Sequence, residues 1–451
     1  MSDIENKNLI VEEITTLYPT KVKSVFTPYS IKELQDFLKN SSDNISIGGG
    51  RFSMGGQIAH PDSVHVDMRN LNKIIEIDVQ EKTILVETGI CWIDIIKEID
   101  ELDLSVKVMQ TYSNFTVGGA LSVNAHGRYV GYGSIISTVI EITLLNYKGE
   151  KIIASPTKNQ DIFYGAIGGY GGLGIIVEAR LSLTENSRIS NHTKILDISD
   201  YKNYLHNLIE SEAVIFQNAD IQLSDFSKVR INTWLKTSNE TTVKKRIRNT
   251  EKPYLIEKYF MWSITELPVS NWRRENIIDP LWRFNKEVVC TRNYEASYNV
   301  KELEPFTRKY RTYVLQEYFI PVNNFLKFND LLKNIIKNNK VNLLNVSIRH
   351  APKDPGSLLA WSQEEVFAFV LYYKQKITDA ERLHVEKWTK EIIDAALECN
   401  GTYYLPYQPH ATVEQFRKAY PQYKKFYELK KSIDPDYRFK NILWDKYLYC
   451  D

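Results

Sequence analysis

The first 190 residues alternate between strand-like and helix-like patterns of apolar positions. Val64–Asp67 and Thr83–Glu87 are short runs with the apolar character of strands. Ile31–Leu38 instead repeats apolar residues at helical spacing, and Ser30 is a suitable cap for that helix. The other strands predicted here are Val22–Phe26, Ile45–Ile47, Ile75–Asp78, Val139–Leu145, Lys151–Ile153 and Ile175–Leu183, with helices at Cys91–Ile99 and Asp161–Ala166.

The composition changes near Glu185. From there to about Asn400 Gly356 is the only glycine, while tyrosine, tryptophan and charged residues become more frequent. The pattern predicts strands of an antiparallel sheet within Ala213–Leu235 and Val341–Lys374, and helices at Asn324–Lys337 and Thr378–Cys399. Turn residues return after Gly401. We therefore expect two mixed α/β units and a C-terminal segment that returns to the first.

Charge and cysteine content exclude several classes of function. The chain has 451 residues with 57 Lys plus Arg against 56 Asp plus Glu, so a nucleic-acid partner is not expected. Its first residues lack a signal-peptide pattern, and no run approaches the roughly 20 apolar residues of a membrane helix. The four cysteines Cys91, Cys290, Cys399 and Cys450 form no CxxC pair. We expect a cytoplasmic protein with a small-molecule substrate, no metal and no membrane partner.

The first of three glycine clusters follows a predicted strand. Gly48–Gly50 come directly after Ile47, and Gly55–Gly56 follow five residues later. Glycine has no Cβ and readily adopts positive φ, so such a loop lets the backbone approach a ligand closely. Successive N–H groups can then form a concave nest for a diphosphate. This loop predicts a phosphate-containing cofactor.

The second cluster surrounds a predicted short helix. Gly118–Gly119 open that helix, so their N–H groups are expected to be free for another phosphate contact. A tight turn with a packing face of small residues is the alternative. His126 lies among polar and small neighbours rather than on an apolar face. It is a candidate for catalysis, although a lone histidine is more often structural.

The third cluster contains the letters GxGxxG at Gly169, Gly171 and Gly174. A dinucleotide-binding Rossmann loop needs a strand before it and a helix after it. Here a helix pattern, Asp161–Ala166, precedes the glycines and a strand pattern from Ile175 follows them. The order is inverted, so we reject the Rossmann interpretation.

Together, the three clusters resemble the FAD-binding domain of the vanillyl-alcohol oxidase/p-cresol methylhydroxylase (PCMH) flavoprotein family over roughly residues 20–185. The resemblance is nearest to the aldonolactone/alditol oxidase and decaprenylphosphoryl-ribose oxidase branches. It implies an α+β fold: a two-subdomain PCMH-type FAD domain at 1–190, an α/β cap with an antiparallel sheet at 191–400, and a returning segment at 401–451. It implies FAD contacts at Gly48, Gly49, Gly50, Arg51, Phe52, Ser53, Met54, Gln57, Ser113, Gly118, Gly119, Ser122, Asn124, His126, Gly127, Gly174, Ile175, Ile176 and Asn441.

Two departures from the family pattern concern the flavin. Many relatives have a histidine in the first loop that is bonded covalently to the flavin, whereas this chain has Phe52 there. We therefore predict noncovalent FAD. The alditol-oxidase branch has a Glu-x-Arg pair on a cap strand, which here becomes Ser347-Ile348-Arg349. Arg349 could stabilise negative charge on the reduced flavin, or it could be a surface arginine.

The third departure concerns the proton acceptor. The decaprenylphosphoryl-ribose group has a G-x-x-Y-x-x-K pattern that is similar to Gly401…Tyr404…Tyr407, with Tyr407 where the lysine would be. A phenol with its ordinary pKa near 10 is a poor base at neutral pH. His126 and His410 are therefore the better base candidates. The candidate catalytic residues are Arg349, Tyr404, Tyr407, His126 and His410.

These observations predict an FAD-dependent oxidase or dehydrogenase that transfers hydride from a CH–OH or similar donor to flavin N5. Carbohydrate-like or polyol donors are what the resemblance implies. The alternatives are a flavoprotein with redox-neutral net chemistry, such as an epimerase component or a cyclase, and an oxidase of a specialised metabolite. The electron acceptor and the oligomeric state do not follow from the sequence.

Overall fold

A computed structural model describes residues 9–211, 213–249, 254–266 and 288–448 of the chain. The strands are β1 Leu9–Val11, β2 Thr20–Val22, β3 Ser24–Phe26, β4 Ile45–Gly48, β5 Val64–Asp67, β6 Ile74–Asp78, β7 Thr83–Glu87, β8 Leu104–Val106, β9 Val139–Leu145, β10 Lys151–Ala154, β11 Ile175–Glu185, β12 Arg188–Asp197, β13 Val214–Ile221, β14 Lys228–Lys236, β15 Val289–Thr291, β16 Arg311–Pro321, β17 Leu343–Ala351, β18 Val366–Lys376 and β19 Thr402–Tyr403. The helices are α1 Ile31–Asn40, α2 Trp92–Asp100, α3 Val117–Ser122, α4 Gln160–Ala166, α5 Tyr201–Glu210, α6 Leu255–Glu266, α7 Arg292–Ala296, α8 Phe325–Asn338, α9 Asp379–Glu398, α10 Val413–Ala419, α11 Tyr423–Ile433 and α12 Ile442–Tyr447.

The N-terminal part contains a parallel and an antiparallel sheet. β3, β5 and β4 form a three-stranded parallel sheet, and α1 packs its buried Leu34 and Leu38 against it. The antiparallel sheet has the order β10-β9-β11-β7-β6, with β8 paired to the far end of β11. The Ser30 hydroxyl accepts the Glu33 N–H and caps α1, as its sequence predicts. Both sheets end in glycine loops that face the same cavity.

The second part is built on an eight-stranded sheet of described residues with the order β15-β12-β14-β13-β17-β18-β16-β19. Neighbouring strands are antiparallel throughout. Helices α8 and α9 contact each other and β16, and α9 also contacts β18. The prediction of an α+β fold with antiparallel sheets is therefore confirmed.

The C-terminal segment contacts the start of the chain. The Ile45 N–H donates to the Arg438 carbonyl at 2.7 Å, and the Lys440 N–H donates to the Ile45 carbonyl at 2.9 Å. Lys430 is fully buried with Asp434, and Lys430 Nζ also donates to the Phe439 carbonyl at 2.9 Å. These bonds join residues 438–440 to the strand that leads into the first glycine loop.

Most predicted elements occur, with one correction in this part. The run Val22–Phe26 is not one strand, because β2 and β3 separate at Lys23 and belong to different sheets. The first eight residues and Cys450 lie outside the described residues, and Cys91, Cys290 and Cys399 are free thiols. Among the described residues, no helix has the length and apolar character needed to cross a bilayer.

Candidate functional site

One cavity of about 1670 Å³ lies between the glycine loops and one face of the eight-stranded sheet. Residues from all three glycine clusters line it, together with residues of β12, β13, β14, β16, β17 and β18. Pockets that hold one drug-sized ligand usually measure roughly 300–1,000 Å³. This cavity therefore has room for a large cofactor and for a substrate beside it.

The first glycine loop allows a close approach of two loops. A Cβ added to Gly49 would lie 2.4 Å from Thr116 Oγ1, and the Gly50 N–H donates to the same hydroxyl at 3.3 Å. Arg51 follows with φ of +61° and donates to Asp67 at 3.1 Å. Gly48, Gly49, Gly50, Arg51, Phe52, Ser53, Met54 and Gln57 all line the cavity. The absence of side chains on the glycines is thus a packing requirement as well as an opening toward a ligand.

Phe52 occupies the loop position where the resemblance implies a flavin-bonded histidine in relatives. Its ring stacks on Phe115 with the centroids 4.0 Å apart and an interplanar angle of 13°. Both rings line the cavity. The side chain at this position offers no nucleophile, and its face is occupied by another aromatic ring.

The first loop is fastened to the segment that carries the candidate tyrosines. The Met54 N–H donates to the Pro406 carbonyl at 2.7 Å. Gln57 Nε2 donates to the carbonyls of Leu405 and Tyr407, both at 2.7 Å. The amide of Gln57 therefore fixes Tyr407 relative to the glycine loop.

The second cluster lines the cavity at Gly118, Gly119, Ser122 and His126, but one predicted reason for its role is wrong. The Gly118 N–H already donates to the Thr88 carbonyl at 2.7 Å, and the Gly119 N–H donates to Thr116 Oγ1 at 3.3 Å. These N–H groups are consequently not free. Their glycines instead allow close packing, since a Cβ on Gly118 would lie 3.0 Å from Thr88.

The third cluster has the inverted order expected from its sequence, with α4 before the glycines and β11 after them. Gly174 has φ of +151°, and a Cβ there would lie 2.4 Å from the Leu145 carbonyl oxygen. Only glycine fits this position. Gly174, Ile175 and Ile176 line the cavity.

Three predicted cofactor residues of the second cluster are not among the residues that line the cavity. Ser113 is buried and donates to the Tyr298 carbonyl at 3.0 Å. Asn124 is buried and donates to Asp354 at 2.8 Å. Gly127 leaves no room for a side chain, because a Cβ would lie 2.2 Å from a carbonyl oxygen. In the structure these residues support the second loop, and their contact with the cofactor stays a prediction.

Asn441 and His410 also lie away from the cavity lining. Asn441 caps α12 and donates to the Tyr170 carbonyl at 2.9 Å. His410 is buried, and its Nε2 has no partner among the described residues. Burial lowers the pKa of His410 to about 4. The structure therefore corrects the suggestion that His410 is a base for the substrate.

The remaining catalytic candidates converge on the sheet face. Ser347 and Glu317 are both paired in register with Val370, so the three residues form one row across β17, β18 and β16. All three line the cavity, and so does Arg349, two residues beyond Ser347 on β17. Adjacent strands are about 4.8 Å apart, so this row carries a serine and a glutamate on strands about 10 Å apart.

Glu317 holds two of the candidates together. Its Oε2 lies 2.7 Å from His126 Nε2, and its Oε1 accepts the Tyr407 hydroxyl at 3.0 Å. Burial raises the pKa of this carboxyl, but His126, Arg349 and Tyr407 outweigh burial, so its pKa lies below the ordinary value. The result is a buried carboxylate with both oxygens engaged. Tyr404 and Tyr170 also face this charge.

The two candidate tyrosines differ in where their protons point. The Tyr404 hydroxyl donates to the Val123 carbonyl at 2.9 Å, whereas Tyr407 donates to a carboxylate. Burial, followed by the charge of Glu317, raises the pKa of both phenols well above the ordinary value. Both are neutral phenols at neutral pH, and only Tyr407 is bonded to a group that can accept a proton.

Glu317 was missed as a functional residue by the sequence reasoning. It occupies a strand that is otherwise almost entirely buried, and it is 3% exposed. A charged residue in the middle of such a run is a signal, because an unpaired buried carboxylate is costly. Its partners come from distant parts of the chain, so the sequence offers no local pattern that pairs them.

The cavity lining fits a polar cofactor. Among the described residues, the buried polar atoms of lining side chains that have no hydrogen-bond partner include Arg51 Nε, Gln110 Oε1, Thr111 Oγ1 and Arg349 Nε. Buried polar groups in folded proteins are almost always paired. A ligand with both donors and acceptors would satisfy these atoms.

Comparisons with known proteins agree with this fit. Residues 22–155 match the FAD binding domain family. Cytokinin dehydrogenase 3 of Arabidopsis thaliana is 24% identical over 96% of this chain and 87% of its own length. L-gulonolactone oxidase of Bos taurus is 22% identical over 94% of each chain. Cytokinin dehydrogenase 2 of Arabidopsis thaliana is 31% identical, but over 38% of this chain.

The fold, the glycine loops and these matches define a flavoprotein that binds FAD. More particularly, the chain is an FAD-dependent oxidoreductase of the oxidase and dehydrogenase kind, related to PCMH-type FAD oxidases at low identity. Three predictions are confirmed: the family resemblance of the glycine clusters, FAD as the cofactor, and the enzyme class.

Proposed function

We propose that this oxidoreductase removes hydride from a CH–OH carbon, or a comparable C–H, of a small-molecule donor. We propose further that its FAD is held noncovalently. The observation that carries the second point is Phe52, whose ring lies in the cavity stacked on Phe115. A phenyl ring has no lone pair with which to bond the flavin, so the cofactor depends on the loops alone.

We propose the two-subdomain PCMH-type arrangement for residues 1–190, with 191–400 as the cap and 401–451 returning to the first part. The hydrogen bonds between Ile45 and residues 438–440 support the last of these assignments. The polar sheet face that lines the cavity supports a substrate-binding role for the cap. A cytoplasmic location and the absence of macromolecular partners stay predictions.

Residues on two sides of the cavity would have different functions, cofactor binding by the glycine loops and proton uptake on the sheet face. Gly48–Gly50 and Gly174 line one side of the cavity and would hold the cofactor there, while Arg349, on the sheet face, would offer it the unpartnered Nε. FAD, when bound, supplies a two-electron acceptor. The sheet face opposite carries Glu317 and its partners, which can take up the proton that a hydroxyl loses. This combination favours a donor with a hydroxyl on the oxidised carbon.

The donor class is proposed from the polar row and from the relatives' names. The cap sheet lines the cavity with carboxamides and hydroxyls such as Asn191, Thr193 and Ser347, which suit a hydroxylated ligand. L-gulonolactone oxidase is named for such a compound. Carbohydrate-like lactones and polyols are thus the first donors to test, and a cytokinin is the second because of the cytokinin dehydrogenases.

The test uses the purified protein reconstituted with FAD. L-gulonolactone, sorbitol and a cytokinin are mixed with the holoenzyme without oxygen, and bleaching of the flavin absorbance is followed. We expect bleaching by a hydroxylated donor. Recovery in air indicates an oxidase, and bleaching without recovery indicates a dehydrogenase with another acceptor. Failure of the protein to bind FAD contradicts the whole proposal.

A further inference from the structure

We propose that Glu317 is the proton acceptor of the reaction and that Tyr407 passes the proton to it. This inference rests on the proposed function, since it requires a donor that loses a hydroxyl proton. The proposed base is therefore neither His126 nor His410, the two candidates that the ordinary pKa of histidine suggests. The geometry around the carboxylate carries the argument.

The first step concerns the hydrogen bonds that each candidate already makes. The Tyr407 O–H donates to Glu317 Oε1 at 3.0 Å, so the hydroxyl oxygen keeps lone pairs that can accept a proton, and Tyr407 lines the cavity. Tyr404 O–H points at the Val123 carbonyl, which cannot accept a proton. Of the two phenols, only Tyr407 can release its proton to a base as it takes one from a substrate.

The second step concerns His126. Its Nε2 faces Glu317 Oε2 at 2.7 Å, and its ring is packed among Trp361, Phe319 and Tyr404. Through that contact His126 orients the carboxylate and stabilises its charge. His126 is therefore a positioning residue that acts through Glu317, and the other carboxylate oxygen, Oε1, accepts the Tyr407 hydroxyl.

The reaction then balances without another group. The donor's C–H bond breaks and both electrons leave with the hydrogen to FAD. The donor's O–H bond breaks and its proton joins the Tyr407 oxygen, while the Tyr407 proton moves to Glu317 Oε1. A C=O bond forms in the product. Glu317 ends neutral, and its proton returns to solvent before the next turnover.

The test measures anaerobic flavin bleaching in holoenzyme variants with whichever of the hydroxylated donors, L-gulonolactone or sorbitol, reduces the parent. We expect E317Q and Tyr407→Phe to slow bleaching by roughly 10²–10⁴-fold, the usual contribution of a general base. The parent's rate should fall at acid pH as Glu317 takes a proton. The charged and titratable groups that face Glu317 are His126, Arg349, Tyr407, Tyr404 and Tyr170. That acid limb should be missing in E317Q.

Tyr404→Phe is the comparison within the cavity, because it removes a buried phenol that is bonded to a carbonyl. It should keep the acid limb of the pH profile. Tyr201→Phe is the control outside the cavity, since Tyr201 is buried and bonded to Gln217. Its bleaching rate should equal that of the parent. FAD titration of each variant shows that the protein has folded, and Glu317→Asp should restore part of the rate.

The outcomes separate the two proposals. If no donor bleaches the parent holoenzyme, the proposed function fails and this inference fails with it. If a donor bleaches the parent but E317Q, with normal FAD binding, reacts within about tenfold of it, the function stands and the proton route is wrong. Equal losses in Tyr404→Phe and Tyr407→Phe, with the acid limb abolished in both, would also overturn the route.

Discussion

His410 provides a decisive prediction, because its sequence suggests a catalytic base and its structure indicates a buried neutral imidazole. The perturbation is His410→Gln, which keeps a polar side chain of similar size but cannot titrate. The residue is 8% exposed and does not line the cavity. We expect the variant to bleach its flavin at the parent's rate and to lose less stability than the parent on acidification.

The magnitude follows from the shift of the pKa. Burial lowers the pKa of His410 from an ordinary 6.5 to about 4 in the folded protein. Between these values the unfolded chain binds more protons than the folded one, so stability is complete above about 6.5 and is lost as the pH falls toward 4. Each unit of pKa difference corresponds to about 1.4 kcal/mol, so protonation of His410 lowers the free energy of unfolding by about 3 kcal/mol as the pH falls across this window.

The assay is equilibrium urea unfolding, followed by tryptophan fluorescence, at neutral pH and near pH 4.5. His410→Gln can lower the free energy of unfolding at neutral pH through imperfect packing, so the measured quantity is the change between the two pH values. That change should be smaller in the variant by about 2 kcal/mol. An equal change in both proteins, or a large loss of flavin bleaching in His410→Gln, would refute the reasoning.

Three further predictions address the cofactor and the fold. Acid precipitation of the holoenzyme should leave the flavin in the supernatant, because Phe52 cannot bond it; flavin in the pellet after washing would contradict this. Lys430→Met should cost about 3–5 kcal/mol, because it leaves the carboxylate of Asp434 buried without its cation, and urea unfolding measures it. Gly174→Ala should weaken FAD binding and lower the melting temperature, since its Cβ would meet the Leu145 carbonyl at 2.4 Å; unchanged values would show that the turn can relax.

The sequence predicts those elements whose apolar positions face an apolar core. The helix from Ile31 packs a buried face against the parallel sheet, the strand Val64–Asp67 is the buried central strand of that sheet, and both begin where their pattern indicates. The strand Arg188–Asp197 was not predicted. Its residues Asn191 and Thr193 line the cavity, so the apolar alternation that identifies a strand is missing.

The glycine loops were found because their signal is local. A strand followed by glycines, or a glycine at φ of +151° such as Gly174, restricts the sequence over a few adjacent residues. Glu317 was not found because its role depends on contacts with His126 and Tyr407, 191 and 90 residues away. Contacts between residues that far apart in the sequence are visible only in the folded structure.

The register of the eight-stranded sheet bears on two departures from the family pattern, Ser347 and Tyr407. Strand β17 has Ser347 where the resemblance implies a glutamate, and the row through Val370 carries Glu317, two strands or about 10 Å away. There the carboxylate meets Tyr407 instead of standing beside Arg349 on the same strand. A lysine at position 407 would form an ion pair with Glu317 and neutralise the acceptor, whereas a phenol can pass a proton to it. The phenol at position 407 is therefore the residue type that lets Glu317 stay charged as the proposed acceptor.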